Sequence, residues 1–149
     1  MTKRILITGL VAGTFDGLAA IIHLSILGKD PIRVFNFIAS GVFGKAAYTD
    51  GLSMILAGIA LHYIIATIWT FIYFMIYPKI KAPGSWVVSG LIYGVVVWAG
   101  MNLIVLPLSN IPPLPFTVTK AVIAALILML CIGLPISFSA SKYFSKKSF

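Results

Sequence analysis

The chain has 149 residues, 60% hydrophobic and 9% charged, with a formal net charge of +8 and a mean hydropathy of +1.09. A soluble domain carries roughly a quarter of its residues as charges, so this composition excludes an ordinary soluble globule and indicates an integral membrane protein. Eleven basic residues against three aspartates do not signal a nucleic-acid partner here. They sit between and beyond the apolar runs, where cationic anchors meet anionic lipid headgroups.

"MTKR" followed by an apolar stretch imitates a signal peptide, but the stretch holds Asp16 and ends in "SILGKDP" without a small-x-small cleavage site, so it reads as a retained helix. Four runs approach or exceed the ~20 residues a helix needs to span hydrocarbon: Ile5–Leu27, Gly51–Tyr77, Ser85–Leu106 and Val118–Ala140. They form one domain over residues 1–149, an all-α membrane four-helix bundle.

Lys3, Arg4, Lys79, Lys81, Lys142, Lys146 and Lys147 fall at one end of these spans, and Lys29, Arg33, Lys45 and Lys120 at the other. The positive-inside bias then puts both termini in the cytoplasm. Tyr73, Tyr77 and Trp86 flank the inner loop as interfacial aromatics do.

Between the first two spans lies "GKDPIRVFNFIASGVFGKAAYTD". Asp30 can cap a helix beginning at Pro31, and that helix should end near Gly41 or Gly44, covering about residues 31–44. Its apolar content exceeds that of a solvated loop, yet it is too short to span. Lying flat in the outer interface is the simpler expectation, and dipping in as a re-entrant segment is the alternative.

The later connection "PLSNIPPLPF" is rich in proline and uncharged, which predicts a stiff turn rather than a binding loop. Pro135 sits inside the last span and should kink it, leaving a carbonyl for Ser137 or a neighbouring helix to satisfy. Cys131, the one cysteine, lies in the same span, so no intrachain disulfide forms.

The first span carries Gly9, Gly13 and Gly17 at intervals of four, beside Ala12, Asp16, Ala20 and His23. Such a stripe admits a neighbouring backbone closely, so Asp16 and His23 should face protein or a water-filled crevice rather than lipid. Gly90 and Gly94 in the third span, and Ala121 and Ala125 in the fourth, offer matching small surfaces.

At ~1.5 Å rise per residue, Asp16 falls near mid-bilayer and His62, about 16 Å from the outer end of the second span, at nearly the same level. The two can hydrogen-bond or form an ion pair. His23, Asn102 and Lys120 form a layer nearer the outer end, which Asn36 and the short helix can cover, and Lys120 can also snorkel to the headgroups.

Intramembrane ionisable groups often mark proton relays and substrate routes. That gives one reading: passage or exchange of a proton, cation or small solute along a polar strip, with Asp16 central, His62 its partner, and His23, Asn102 and Lys120 the vestibule. In a second reading Asp16 and His62 merely clamp two helices together. A third is a non-catalytic scaffold that binds lipid or protein, for which Trp69, Trp98, Tyr63 and Tyr93 supply aromatic surface.

An enzyme is not expected, since there is no nucleophile elbow, H-E-x-x-H, Walker loop or dinucleotide fingerprint. Nor is a metal or cofactor: the two histidines differ by about 10 Å in depth, whereas metal ligands sit about 2 Å from their ion. Because four helices scarcely enclose a pathway, and the glycine stripe offers a packing face, a homodimer is expected.

At "FIASGVFGKAA", "AGIALHYIIA" and "LIYGVVVWAGMNLIVLPLS" the chain resembles small bacterial inner-membrane proteins that are distantly similar in layout to the YagU-like family. The resemblance implies a helical bundle in a bacterial inner membrane and carries no activity or site with it. It draws attention to Ser40, Gly41, Gly44, Lys45, His62, Tyr93, Gly94, Asn102 and Pro107, while Asp50 departs from the pattern.

Overall fold

The computed structural model describes residues 1–80, 85–113 and 115–145. Lys81, Lys146 and Lys147, used above for orientation, lie outside them. The fold is all-α, with helices α1 (Thr2–Ile26), α2 (Arg33–Phe43), α3 (Leu52–Ile76), α4 (Trp86–Leu108) and α5 (Val118–Ser145). Among the described residues four of these, α1, α3, α4 and α5, are long and apolar enough to cross a membrane. This is the architecture of a multi-pass membrane protein. Below, the end that carries Thr2 and Ser145 is the terminal end and the opposite one the distal end.

Large apolar side chains point outward along every long helix. On α1, Leu6, Leu10, Phe15, Leu18 and Ile22 are all exposed at close to helical spacing, while Ile5, Gly9, Ala12 and Gly13 on the other side are buried. In a soluble protein such a surface would aggregate, whereas in hydrocarbon it is the solvated face.

Two antiparallel pairs build the bundle. In the first, the glycine stripe of α1 receives α3: a β-carbon at Gly9 would stand 2.7 Å from Thr67 Oγ1, and one at Gly13 3.0 Å from the Tyr63 ring. In the second, Gly90 and Gly94 of α4 lie directly on the backbone of Gly133 and Met129 in α5. Close approach of this kind lets helices gain van der Waals contact that lipid cannot match. The stripe is therefore covered within the chain, and any self-pairing face lies elsewhere. Gly90 and Gly94 meet Gly133 and Met129 rather than Ala125 and Ala121, because α5 touches α4 about two turns nearer its terminal half.

The pairs join through Tyr73, Phe74, Val97, Ile132 and Ile136, all buried. Tyr73 donates its hydroxyl to Ser137 Oγ at 2.8 Å, Ser137 donates to the Trp86 carbonyl at 2.8 Å, and Tyr93 donates to the Trp69 carbonyl at 2.6 Å. These bonds satisfy polar atoms that would otherwise be costly in an apolar core. Ser137 thus serves Tyr73 and Trp86 rather than a carbonyl freed by Pro135.

What accommodates the proline is a change of helical register. The segments Met101–Val105 and Met129–Gly133 are π-helical, with Leu106 N–H donating to Met101 O and Leu134 N–H to Met129 O. Each donor immediately precedes a proline, Pro107 or Pro135, within the parallel strings "MNLIVLP" and "MLCIGLP". A proline lacks an N–H and its ring crowds the carbonyl four residues back. One wide turn relieves both, so α4 runs on through Pro107 to Leu108, past the expected end at Leu106.

The short helix begins later than expected. Asp30 Oδ1 accepts the Ile32 N–H at 3.0 Å, making a side-chain turn ahead of a helix that starts at Arg33 rather than Pro31. It ends at Phe43, and Gly44 at φ +59° then breaks the chain direction. α2 lies against α3 where the Phe35 carbonyl rests on Gly58, roughly 9 Å below the distal end of α3 at 1.5 Å per residue. The proline-rich connection holds its other end: Asn110 donates from its backbone N to Gly41 O at 3.0 Å and from Nδ2 to Val42 O at 2.8 Å. Those carbonyls belong to the last turn of α2, where helical partners run out.

Candidate functional site

The two halves of the bundle differ in packing. On α5 no described residue before Ile132 is buried, whereas Ile132, Gly133, Ile136, Ser137 and Ala140 are. The terminal half is closed and the distal half of α5 stands away from its neighbours. The space left behind it is a cavity of about 1050 Å³ between α1, α2 and α5.

Asp16 and Ala20 of α1 line its deep part, His23 and Leu24 its middle, and Lys29, Asp30, Arg33 and Lys120 its distal mouth. Phe37 of α2 and Ile123 and Ile127 of α5 give it apolar walls. Below the floor the π-helical turn of α5 packs against α1. Asp16, His23 and Lys120, all singled out from the sequence, are thus brought into one space.

His62 stands against the glycine stripe of α1, beside Gly13 and Gly17. Its Nε2 hydrogen-bonds the Gly13 carbonyl oxygen at 2.8 Å, and its ring meets Phe35 and Tyr63 edge-on at centroid distances of 6.5 and 5.5 Å. It is within electrostatic reach of Asp16, but its hydrogen bond goes to backbone. A helical carbonyl has a second lone pair, and at Gly13 that pair is reachable because Gly17, one turn on, has no side chain to cover it.

Asn102 is not in the Asp16 cavity. It is exposed, donates from Nδ2 to the Trp98 carbonyl at 2.8 Å, and lines a separate space of about 690 Å³ between α4 and α5. Lys120 and Ala124 border both spaces, so the distal half of α5 is a partition between them. Asn36 donates to the Ala47 carbonyl at 2.7 Å and ties α2 to the turn that follows it. Among the described residues, no cluster of three or more His, Cys, Asp or Glu is placed to hold a metal ion.

The geometry adds Lys29, Asp30, Arg33 and Phe37 to the site; from the sequence, Lys29 and Arg33 count only toward orientation and Asp30 only as a cap.

 The sequence signal for them is their crowding: three of the four cations at the distal end sit in the one loop that contains α2, against the charge bias of the rest of the chain.

Fold and cavity together define a four-span helical bundle with a polar-floored, cation-rimmed cavity open at its distal end. The chain matches no protein-family model, no curated protein and no solved structure.

Proposed function

We propose that the protein passes or exchanges a small solute through the distal cavity, with Asp16 as the polar group at its floor. The observation that carries this reading is the cavity itself, which joins Lys29 and Lys120 at the mouth to Asp16 deep in α1. A helix clamp needs two contacting side chains and no space beside them. Here Asp16 borders open volume while His62 is engaged by Gly13.

The terminal half is closed by Ile132, Ile136 and Tyr73, as alternating access requires of one state. With the termini in the cytoplasm, as the lysine and arginine distribution favours, this state faces outward and α2 dips beside the cavity as a re-entrant helix. A bacterial inner membrane, which the resemblance to YagU-like proteins implies, is the setting we infer. The lipid-binding scaffold remains the second reading, favoured by the apolar walls at Phe37, Ile123 and Ile127.

Proton and potassium flux into proteoliposomes loaded with a pH-sensitive dye tests the proposal. Flux above protein-free vesicles that is lost in Asp16→Asn, with the unfolding temperature retained, is the expected result. No flux in the wild type, or equal flux in the variant, overturns it.

A further inference from the structure

We propose that the ligand of the distal cavity is an anionic amphiphile, with its oxyanion head at Lys29, Arg33 and Lys120 and its hydrocarbon chain running inward past Leu24, Phe37 and Ile127. This deepens the exchange reading above by naming the class of solute, and it rests on that reading for what happens after binding.

Size is the first argument. About 1050 Å³ lies at the upper end of ligand pockets, which run to roughly 1,000 Å³, and far exceeds what a proton or bare ion occupies. Polarity is the second. The walls between mouth and floor are made mainly of Leu24, Leu27, Val34, Phe37, Ile123 and Ile127, surface that a small hydrophilic ion would leave unsatisfied.

Charge is the third argument, and it fixes direction. Lys29, Arg33 and Lys120 are exposed at the mouth, and none of them has a carboxylate within ion-pair distance among the described residues. Asp30 is the acid beside them, and one of its carboxylate oxygens is already taken by the Ile32 N–H. An oxyanion arriving there gains charge-assisted hydrogen bonds that the protein does not itself supply. Asp16 at the floor opposes the reversed orientation, because an anionic head driven inward would meet a carboxyl group in place of three cations. Cations, conversely, would have to cross the positive mouth before reaching Asp16. The same charges therefore select the ligand and orient it.

A membrane lipid with a phosphate head and a free single-chain acid share this chemistry, and binding measurements separate them. Full-length protein in phosphatidylcholine nanodiscs is titrated with a dansyl-labelled undecanoic acid, with empty discs as background. Saturable binding is expected, weakened at least tenfold in Arg33→Gln/Lys120→Gln and at least tenfold for the methyl ester of the probe. Both substituted side chains are exposed, and an unchanged unfolding temperature confirms that the variant is folded.

Displacement by phosphatidylglycerol but not oleate identifies a lipid as the source, and displacement by oleate but not phosphatidylglycerol a free acid; either supports the proposal. Equal binding of the ester, undiminished binding by the double variant, absence of saturable binding, or displacement by inorganic phosphate alone overturns it. Saturable binding with no protein-dependent exchange of the probe into proteoliposomes would leave the site standing and remove the exchange reading, while proton or potassium flux without saturable binding would keep that reading and remove this ligand.

Discussion

The His62 imidazole donates from Nε2 to the Gly13 carbonyl oxygen, 2.8 Å away, and so joins α3 to the backbone of α1 rather than to its carboxylate. Polar contacts between helices in a membrane are worth about 1 kcal/mol. His62→Ala is expected to lower stability by about that amount, read as a shift in unfolding by sodium dodecyl sulfate from mixed micelles. Asp16→Asn should leave stability unchanged both alone and on top of His62→Ala, to within about 0.5 kcal/mol, because the hydrogen bond of His62 goes to the Gly13 backbone and not to the carboxylate. A coupling above about 1 kcal/mol in the double-variant cycle would mean that the two side chains hold each other directly.

The glycine stripe makes graded predictions. A β-carbon at Gly9 would stand 2.8 Å from Thr67 Cα, which is backbone and cannot rotate away, whereas one at Gly17 would stand 3.3 Å from His62 Nε2. Alanine gains up to about 1 kcal/mol over glycine in helix propensity, and overpacking costs about 1–3 kcal/mol. Gly9→Ala should therefore destabilise by about 1–2 kcal/mol, and Gly17→Ala should stay within about 1 kcal/mol of the wild type. The same unfolding assay checks both, and equal effects would show that α1 can slide on α3.

Much of this architecture is legible in the sequence because its causes are local. Runs of apolar residues mark α1, α3, α4 and α5, and Gly9, Gly13 and Gly17 announce a close approach. Which helix approaches is not local: spacing shows that a surface is small, and only packing shows that Thr67 and Tyr63 fill it. Asp16 and His62 read as one layer from spacing, but depth is a single coordinate, and the hydrogen bond of His62 goes to the Gly13 carbonyl instead. Asn102 failed to join Asp16 for the same reason. Pro135 signals a kink, but that the helix answers with a π-helical turn, there and again before Pro107, is not written in any local residue pattern.

Ser137 is the polar centre of the closed half. It accepts from Tyr73 and donates to Trp86 O, each at 2.8 Å, with its side chain fully buried. Ser137→Ala takes away the acceptor of the Tyr73 hydroxyl, with buried Ser89 Oγ left as its polar neighbour, and a group left unsatisfied there costs about 1–3 kcal/mol. Tyr73→Phe removes the stranded group, so the double variant should be more stable than Ser137→Ala alone. Unfolding of the three variants decides it, and a double variant weaker than either single one would show that Tyr73 finds another partner when Ser137 is lost.

The wide turn of α5 stands between the closed half and the cavity, and its register sets where Lys120 points. Leu134 N–H reaches Met129 O because Pro135 has no N–H of its own and crowds the carbonyl of Cys131. Pro135→Ala supplies that N–H and removes the ring. Return to an ordinary α-helical register would rotate everything distal to the turn by about 100°, one residue's step around the axis. Spin labels at Lys29→Cys and Lys120→Cys, in a Cys131→Ser background, report the rotation as a changed distance distribution across the cavity mouth. A shift is expected on adding Pro135→Ala. An unchanged distribution would show that the packing of Gly133 on Gly90 holds the wide turn without help from the proline.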